Sequence, residues 1–298
     1  MLSYSITNQE QYRVFIRDLY REMSHPNLDL TNYIRSTDFV LVALADVLAA
    51  MMNQEVADWY PEVLAILLAH RGLHVHAIIP DQPIQLHEQD RQLTVLAGDY
   101  FSSKYYWILV KNGMLSFVSR LANAIQRINE IKTDMRMNEL HDSVSVDDHV
   151  RALGATTFCL FDALYDHKQI SVPEGHHLLQ LVSDSIPLIH AYESGPGNYV
   201  SFHVHERLLW QAASMEERRY LKKLKYGHSF DGKISSWFIK YNTKRTLEHM
   251  LNDVTQKIRM TCEQVKRGSV SRLDEALSNL VACIEYELSS RKRKVEEV

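Results

Sequence analysis

Glycine and proline are scarce in this sequence, whose 298 residues include only 10 glycines and 7 prolines. A protein built from many short strands needs turn residues at nearly every connection, so this scarcity excludes a β-rich fold and favours long helices. Cysteine is scarce as well, and Cys159, Cys262 and Cys283 have spacings that match neither a disulfide framework nor a zinc site. We therefore expect reduced thiols in a cytoplasmic protein.

An excess of positive charge is also lacking, since 33 Lys and Arg residues stand against 37 Asp and Glu residues and the net charge is −4. This balance offers no electrostatic footprint for nucleic acid. The longest apolar run, residues 39–52, contains Asp46 and is shorter than the about 20 residues that a membrane-spanning helix needs. The first residues, MLSYSITNQEQYRVF, lack the apolar centre of a signal peptide. The sequence thus predicts a chain with no transmembrane segment and no nucleic-acid partner.

Helical periodicity runs through almost the whole chain. It predicts helices at residues 8–23, 37–53, 61–78, 90–111, 113–137, 147–166, 174–192, 199–226, 235–266 and from 271 onward. Pro61 and Pro173 lie where helices are predicted to begin, a position at which the missing N–H of proline is not needed. The predicted architecture is an all-α helical bundle. We expect one helical domain over residues 1–195 and a C-terminal helical extension over residues 196–298 that packs on the same domain.

The 15 histidines are the unusual feature of the composition. His70 and His74 are four residues apart near the end of a predicted helix, which is the spacing of a helical metal site. A metal site also needs a third ligand and an ordered second shell, and His76 lies off the shared face. Structural histidines, bonded to their neighbours at a helix end, are therefore the favoured interpretation.

A second candidate is His141-Asp142, followed by Asp147, Asp148 and His149. An adjacent His-Asp pair on a helical chain is typical of the helical metal-dependent phosphohydrolases, where the pair lies within a helix. Here the pair falls in a polar stretch just before a predicted helix. Asp147 and Asp148 are then better explained as an N-cap and first-turn acids, which the helix dipole favours. A stand-alone helical metal-dependent hydrolase stays open as an alternative.

The most informative segment is residues 91–132. It contains the run QLTVLAGDY from Gln92 to Tyr100, then Ser102, the pair Tyr105-Tyr106, and Ile128-Asn129-Glu130 with Lys132. This pattern resembles component 1, the small component of the two-component heptaprenyl diphosphate synthases of Gram-positive bacteria. The resemblance covers roughly residues 10–190. It implies a helical bundle related to the isoprenyl diphosphate synthase fold.

The resemblance also shows what has degenerated. Catalytic isoprenyl diphosphate synthases carry a pattern like HxxxLxHDDxxD, whose aspartates bind Mg²⁺. Aligned with it, His70 and His76 fall on the two histidines, and the acidic positions read Ala77, Ile78, Ile79, Pro80 and Asp81. The second aspartate-rich motif maps onto residues 179–187, where Asp184 is the one aspartate. A single carboxylate on each side cannot hold the Mg²⁺ ions that grip a diphosphate, so the resemblance implies a fold without its own chemistry.

By this resemblance the chain is inactive alone, binds no metal or cofactor, and forms a heterodimer with a catalytic component 2 that carries Mg²⁺. The pair extends farnesyl diphosphate with isopentenyl diphosphate to the C35 chain of menaquinone. The expected partner interface consists of Gly98, Asp99, Tyr100, Phe101, Ser102, Tyr105 and Tyr106. Residues expected to line a prenyl tunnel or the interface are Leu73, Ala77, Ile78 and Ile79. Two alternatives remain: Gly98 and Asp99 serve packing within the chain, or the chain is a helical interaction protein with no enzyme partner.

Overall fold

The computed structural model describes residues 6–25, 37–78, 88–138, 144–194, 202–224, 232–266 and 271–296. The helices in these ranges are α1 Ile6–Met23, α2 Asp38–Met51, α3 Tyr60–Ile78, α4 Glu88–Lys111, α5 Leu115–Asn138, α6 Val146–His167, α7 Pro173–Ser194, α8 Phe202–Ala212, α9 Met215–Leu224, α10 Gly232–Lys240, α11 Thr243–Lys266 and α12 Ser271–Glu296. A short 3-10 helix, Val56–Trp59, joins α2 to α3. No strand occurs in the described ranges, and the predicted all-α class is confirmed.

Helix α2 lies at the centre of the bundle. Its residues 40–50 are all buried, as expected for a helix that is apolar on every side. It is covered by α12, and α7 is covered by α11, while α3 pairs with α4 and α5 with α6. The long apolar run is thus a core helix. Within the described part of the chain, no single helix has the length and apolarity to cross a membrane. Helix α2 and residues 56–77 reach that length and apolarity only when taken together, and they are bent by 107° relative to each other.

The C-terminal helices α11 and α12 contribute to the same core as α2. Leu251 and Ile258 of α11 and Leu277 and Ile284 of α12 are buried in it. The predicted boundary at residue 195 lies outside the described residues. The last third of the chain therefore supplies two long helices of the main bundle.

Helices α8 to α10 form a small second core around Leu209, Trp210, Leu221, Ile234, Trp237 and Phe238. At its edge, Glu217 accepts hydrogen bonds from Lys240 (2.8 Å) and Tyr241. These bonds, that of Lys240 foremost, lower the pKa of the Glu217 carboxyl to about 2.

Most predicted helix ends are close to the observed ones, but two predicted helices are each divided in two. The helix predicted over 199–226 breaks at Ser214, which caps α9: the backbone N–H of Glu217 donates to Ser214 Oγ (3.3 Å), and Glu217 Oε2 accepts from the Ser214 N–H (2.8 Å). The helix predicted over 235–266 breaks at Asn242, whose φ of 49° is left-handed. Both breaks have local signals, a capping-box sequence and an asparagine that tolerates this φ.

Two buried acids tie distant parts of the chain together. Asp46, the acid inside the apolar run, pairs with Arg272 of α12 and accepts a hydrogen bond from Tyr12 (2.7 Å). Asp38, at the start of α2, pairs with Arg71 of α3. Both carboxylates are almost wholly shielded from solvent, so each depends on its partner to offset the cost of desolvation.

Candidate functional site

The crossing of α3 and α4 positions the segment that carries the sequence resemblance. At Gly72 of α3, an added Cβ would lie 3.1 Å from Ser102 Oγ and 3.2 Å from the Gly98 carbonyl oxygen. At Gly98 of α4, an added Cβ would lie 2.6 Å from the His76 ring. The two glycines therefore let the helices approach closely within one chain. This is the intrachain packing that the sequence left as an alternative for Gly98.

The predicted interface residues divide between the two sides of α4. Phe101 is completely buried, and Gly98 is buried against α3. While this packing holds, neither residue can contact a partner subunit. Tyr100 and Tyr105 are partly buried and pack on the core, and desolvation raises the pKa of Tyr105. Ser102, near Gly72, is likewise half-buried. The surface positions are Asp99 and Tyr106, which are exposed.

The opposite side of α4 presents a partly apolar stripe to solvent. We call it the α4 outer face, and it comprises Val95, Leu96, Asp99, Tyr106, Trp107 and Val110, all exposed. At 100° per residue these positions fall within roughly a 120° arc of the helix. Leu115, the first residue of α5, is also 64% exposed. An exposed stripe with several large apolar side chains is a candidate binding surface.

Sequence reasoning missed most of the α4 outer face. Trp107, which is 52% exposed, belongs to it, and the Lys111 ammonium lies 4.6 Å from the centre of its ring. Because α4 has apolar residues on both sides, its pattern does not show which side faces the core. The sequence did contain a signal for the exposed side of α4. Val95, Asp99, Tyr106 and Val110 have the spacing of one helix side, and Gly98 does not lie on that side.

The first degenerate motif lies at the end of α3. Leu73 and Ala77 are half-buried, and the Leu73 carbonyl accepts a hydrogen bond from Lys132 of α5 (3.3 Å). His76 Nε2 lies 3.4 Å from Asp99 Oδ1, so the second histidine of the pattern faces α4. Helix α3 ends at Ile78, and Ile79, Pro80 and Asp81 lie outside the described residues.

The second degenerate motif is in the middle of α7. Asp184 Oδ1 accepts a hydrogen bond from Gln180 of the same helix (2.8 Å), and a Cβ at Gly154 of α6 would lie 3.2 Å from this oxygen. Burial raises the pKa of Asp184, opposed by the Gln180 bond. Its neighbour Ser183 is completely buried. The one aspartate of this motif thus serves the α6–α7 contact, and the residues present do not fit a magnesium–diphosphate clamp.

The core histidines bond to neighbouring helices. His70 and Thr157 of α6 share a hydrogen bond (3.1 Å), and His190 of α7 shares one with Thr37 (2.8 Å). The His74 ring lies 5.8 Å from that of His190. His70 and His74 therefore have different neighbours, and no described metal-ligand triad includes either of them. This geometry supports the structural interpretation of both.

The His-Asp candidate has no described geometry, because His141 and Asp142 lie outside the described residues. The prediction that one of the following acids, Asp147 or Asp148, is the N-cap of α6 is wrong. The N-cap is Ser145, whose Oγ accepts the Asp148 N–H (3.0 Å), while Asp148 reaches back to the Ser145 N–H (3.4 Å). Asp147 is a first-turn acid and not the N-cap. His149 is buried inside α6.

Comparison with solved structures identifies the fold. Geranylgeranyl pyrophosphate synthase from Lactobacillus brevis matches with a TM-score of 0.67 and 14% identity, over 94% of this chain and 98% of that one. A decaprenyl diphosphate synthase from Rhodobacter capsulatus matches with a TM-score of 0.63 and 14% identity, over 95% of this chain and 97% of that one. The chain therefore has the all-α fold of the isoprenyl diphosphate synthases.

Sequence comparison gives a family match over part of the chain. Residues 30–174 match the family described as heptaprenyl diphosphate synthase (HEPPP synthase) subunit 1. Heptaprenyl diphosphate synthase component 1 of Geobacillus stearothermophilus is 36% identical over 70 residues, which are 24% of this chain and 31% of that protein. The match thus spans less than a third of that relative's length. The predicted resemblance to heptaprenyl diphosphate synthase component 1 is confirmed.

Proposed function

We propose that this chain is the non-catalytic subunit of a heteromeric heptaprenyl diphosphate synthase in the cytoplasm. It pairs with a catalytic subunit that carries both aspartate-rich motifs, and Mg²⁺ and both diphosphates stay on that partner. The pair elongates farnesyl diphosphate with isopentenyl diphosphate for the side chain of menaquinone. The observation that carries the proposal is an isoprenyl diphosphate synthase fold whose motif positions hold Ala77, Ser183 and a packed Asp184.

The α4 outer face is the docking surface of this proposal. Its aromatic residues, Tyr106 and Trp107, are of the types that dominate the energy of protein interfaces. Each is more than half exposed, so covering them on association removes apolar area from water at about 25 cal/mol per Å². Gly98 and Phe101 contribute indirectly, by holding α4 against α3.

The proposal extends to the growing prenyl tail. Leu73 and Ala77 are half-buried on the last turns of α3, and Ala77 falls on the first acidic position of the degenerate motif. Leu73 and Ala77 are apolar, and the residues that follow in the sequence, Ile78 and Ile79, are apolar as well, so this segment lacks the groups that bind a diphosphate. The tail emerging from the partner gains burial there with each added isoprene unit. In the complex, Ala77→Glu should shift the products toward shorter chains without preventing assembly.

The test is co-expression of this chain with a candidate catalytic subunit, followed by co-purification and assay of isopentenyl diphosphate incorporation. Trp107→Glu places a charge on the α4 outer face and should abolish both co-purification and synthase activity. Met260→Glu is the matched control, because Met260 is a 58% exposed apolar residue on α11.

Two results would contradict the proposal. One is Mg²⁺-dependent synthesis of prenyl diphosphate by this chain alone. The other is co-purification that survives Trp107→Glu as well as it survives Met260→Glu, which would place the interface elsewhere. Both variants should keep the helical circular dichroism of the parent chain, since both residues are exposed.

A further inference from the structure

Three metal-ligating side chains converge where α6 ends and α7 begins, on residues that the proposed function does not use. Asp162 and Asp166 are one helical turn apart on α6, and His176 lies in the first turn of α7. One ligand atom from each residue lies within 4.8 Å of the other two. Asp162 is half-buried, while Asp166 and His176 are exposed. The group is a mixed set of two carboxylates and one imidazole on two packed helices.

The connection between α6 and α7 holds these side chains in place. Tyr165 donates a hydrogen bond to the Val172 carbonyl (2.7 Å) and accepts one from the Val172 N–H (3.0 Å). Its ring packs over Gly175, where a Cβ would lie 2.8 Å from the hydroxyl oxygen. The His176 ring contacts the Tyr165 ring edge-on, with 4.3 Å between the centroids. The imidazole is therefore positioned by a rigid turn, as a preorganised ligand site requires.

The Asp162 carboxylate has one oxygen that a bound cation would compensate. Asp162 Oδ1 is shielded from solvent and accepts no hydrogen bond from the residues that the structure describes. His176 Nε2 lies 3.3 Å from this oxygen. The second oxygen, Oδ2, is 4.0 Å from an Arg127 nitrogen. A buried carboxylate oxygen without a donor is costly, and the exposed carboxylate of Asp166 adds a second negative charge beside it.

We propose that Asp162, Asp166 and His176 bind one divalent transition-metal cation, Zn²⁺ by preference, which links α6 to α7. Zinc accepts carboxylate and imidazole ligands at about 2.1 Å, so its tetrahedral ligands are about 3.4 Å apart. The pair Asp162 Oδ1 and His176 Nε2 already has this separation. Water completes the coordination. Imidazole ligation disfavours Mg²⁺, which prefers oxygen ligands.

This inference departs from the expectation of a metal-free subunit and is independent of the proposed function. The ion has a structural role, remote from any diphosphate chemistry, and loss of binding would leave partner pairing unaffected. The sequence contained a signal that was missed: aspartates four residues apart, followed after a tight turn by a histidine.

The experiment is calorimetric titration of the untagged, metal-stripped chain with Zn²⁺ and, separately, with Mg²⁺, accompanied by thermal unfolding with each ion. We expect one Zn²⁺ per chain and a rise in the melting temperature, with no such response to Mg²⁺. Asp166→Asn and His176→Gln should each weaken the Zn²⁺ affinity at least tenfold. Both residues are exposed, so both variants should fold. His177→Gln is the matched control, because His177 is an exposed histidine one position further along α7.

Three results would overturn the inference. The first is the absence of stoichiometric Zn²⁺ binding, which would leave Asp162 and His176 as a simple ion pair. The second is an affinity that Asp166→Asn and His176→Gln leave unchanged. The third is an equal loss in His177→Gln, which would indicate nonspecific binding by surface histidines.

Discussion

Removing one member of the buried pair between Arg71 and Asp38 should destabilise the fold severely. The side chains of Arg71 and Asp38 are 2% and 1% exposed, so Arg71→Met leaves a carboxylate buried without its counter-charge. Among the described side chains, the Tyr20 hydroxyl still donates to Asp38, at 3.3 Å, and this bond compensates weakly. Breaking a buried pair from one side costs about 3–5 kcal/mol, and we expect the free energy of unfolding to fall by about 3 kcal/mol or more.

The measurement is urea unfolding at pH 7, followed by circular dichroism. Arg259→Met is the matched control, because the Arg259 and Glu285 side chains are 57% and 39% exposed, and exposed pairs contribute about 0–1 kcal/mol. Adding Asp38→Asn to Arg71→Met should recover part of the loss, since no lone charge then stays buried. The reasoning is refuted if Arg71→Met costs no more than the control, or if the double variant is less stable than Arg71→Met.

Three further predictions concern packing and protonation. Gly98→Ala should lower the free energy of unfolding by about 1–3 kcal/mol, because the added Cβ overlaps the His76 ring. This loss of stability should be smaller when His76→Ala is present as well. An unchanged midpoint of urea unfolding in Gly98→Ala would argue against the close crossing of α3 and α4. Hydrogen bonds lower the pKa of Glu217 from 4.5 to about 2, so the stability that they contribute is present above pH 4.5 and is lost as the pH falls toward 2. Tryptophan fluorescence of the small second core should report this acid-dependent loss of stability. The pH dependence should be absent in Glu217→Gln and should persist in Glu216→Gln. Burial raises the pKa of the Cys262 thiol to about 12. A thiol reagent at pH 8 should therefore leave Cys262 unmodified until the chain unfolds. Rapid labelling of Cys262 in the native protein would count against its burial.

Local patterns in the sequence were enough to predict the fold class and most helix ends. Apolar spacing, the proline positions and the polar residues before each helix depend on a few neighbouring residues, and they act in the same way in any helical bundle. The segment around Gln92–Tyr100 added the resemblance, which needs no tertiary information. The division at Ser214 was also readable from a capping box, and it was missed because helical periodicity continues across it.

The orientation of α4 could not be predicted in the same way. With apolar residues all round, the helix has no single apolar side, and its neighbour α3 decides which side is buried. The Gly72–Gly98 crossing turns Phe101 inward and leaves Tyr106 and Trp107 exposed. An interface drawn from consecutive residues therefore mixed core and surface positions.

Local sequence by itself determined which segments are helical and which side chains are available for chemistry, because helix formation depends on contacts within a few turns. Only the tertiary structure decided what those side chains do. Asp46 stands in an apolar run, and its partner Arg272 is more than two hundred positions away in the chain. Asp162 and His176 converge because α6 and α7 fold back on each other. Ion pairs and ligand sets depend on distances in space, and those distances follow from how the helices pack.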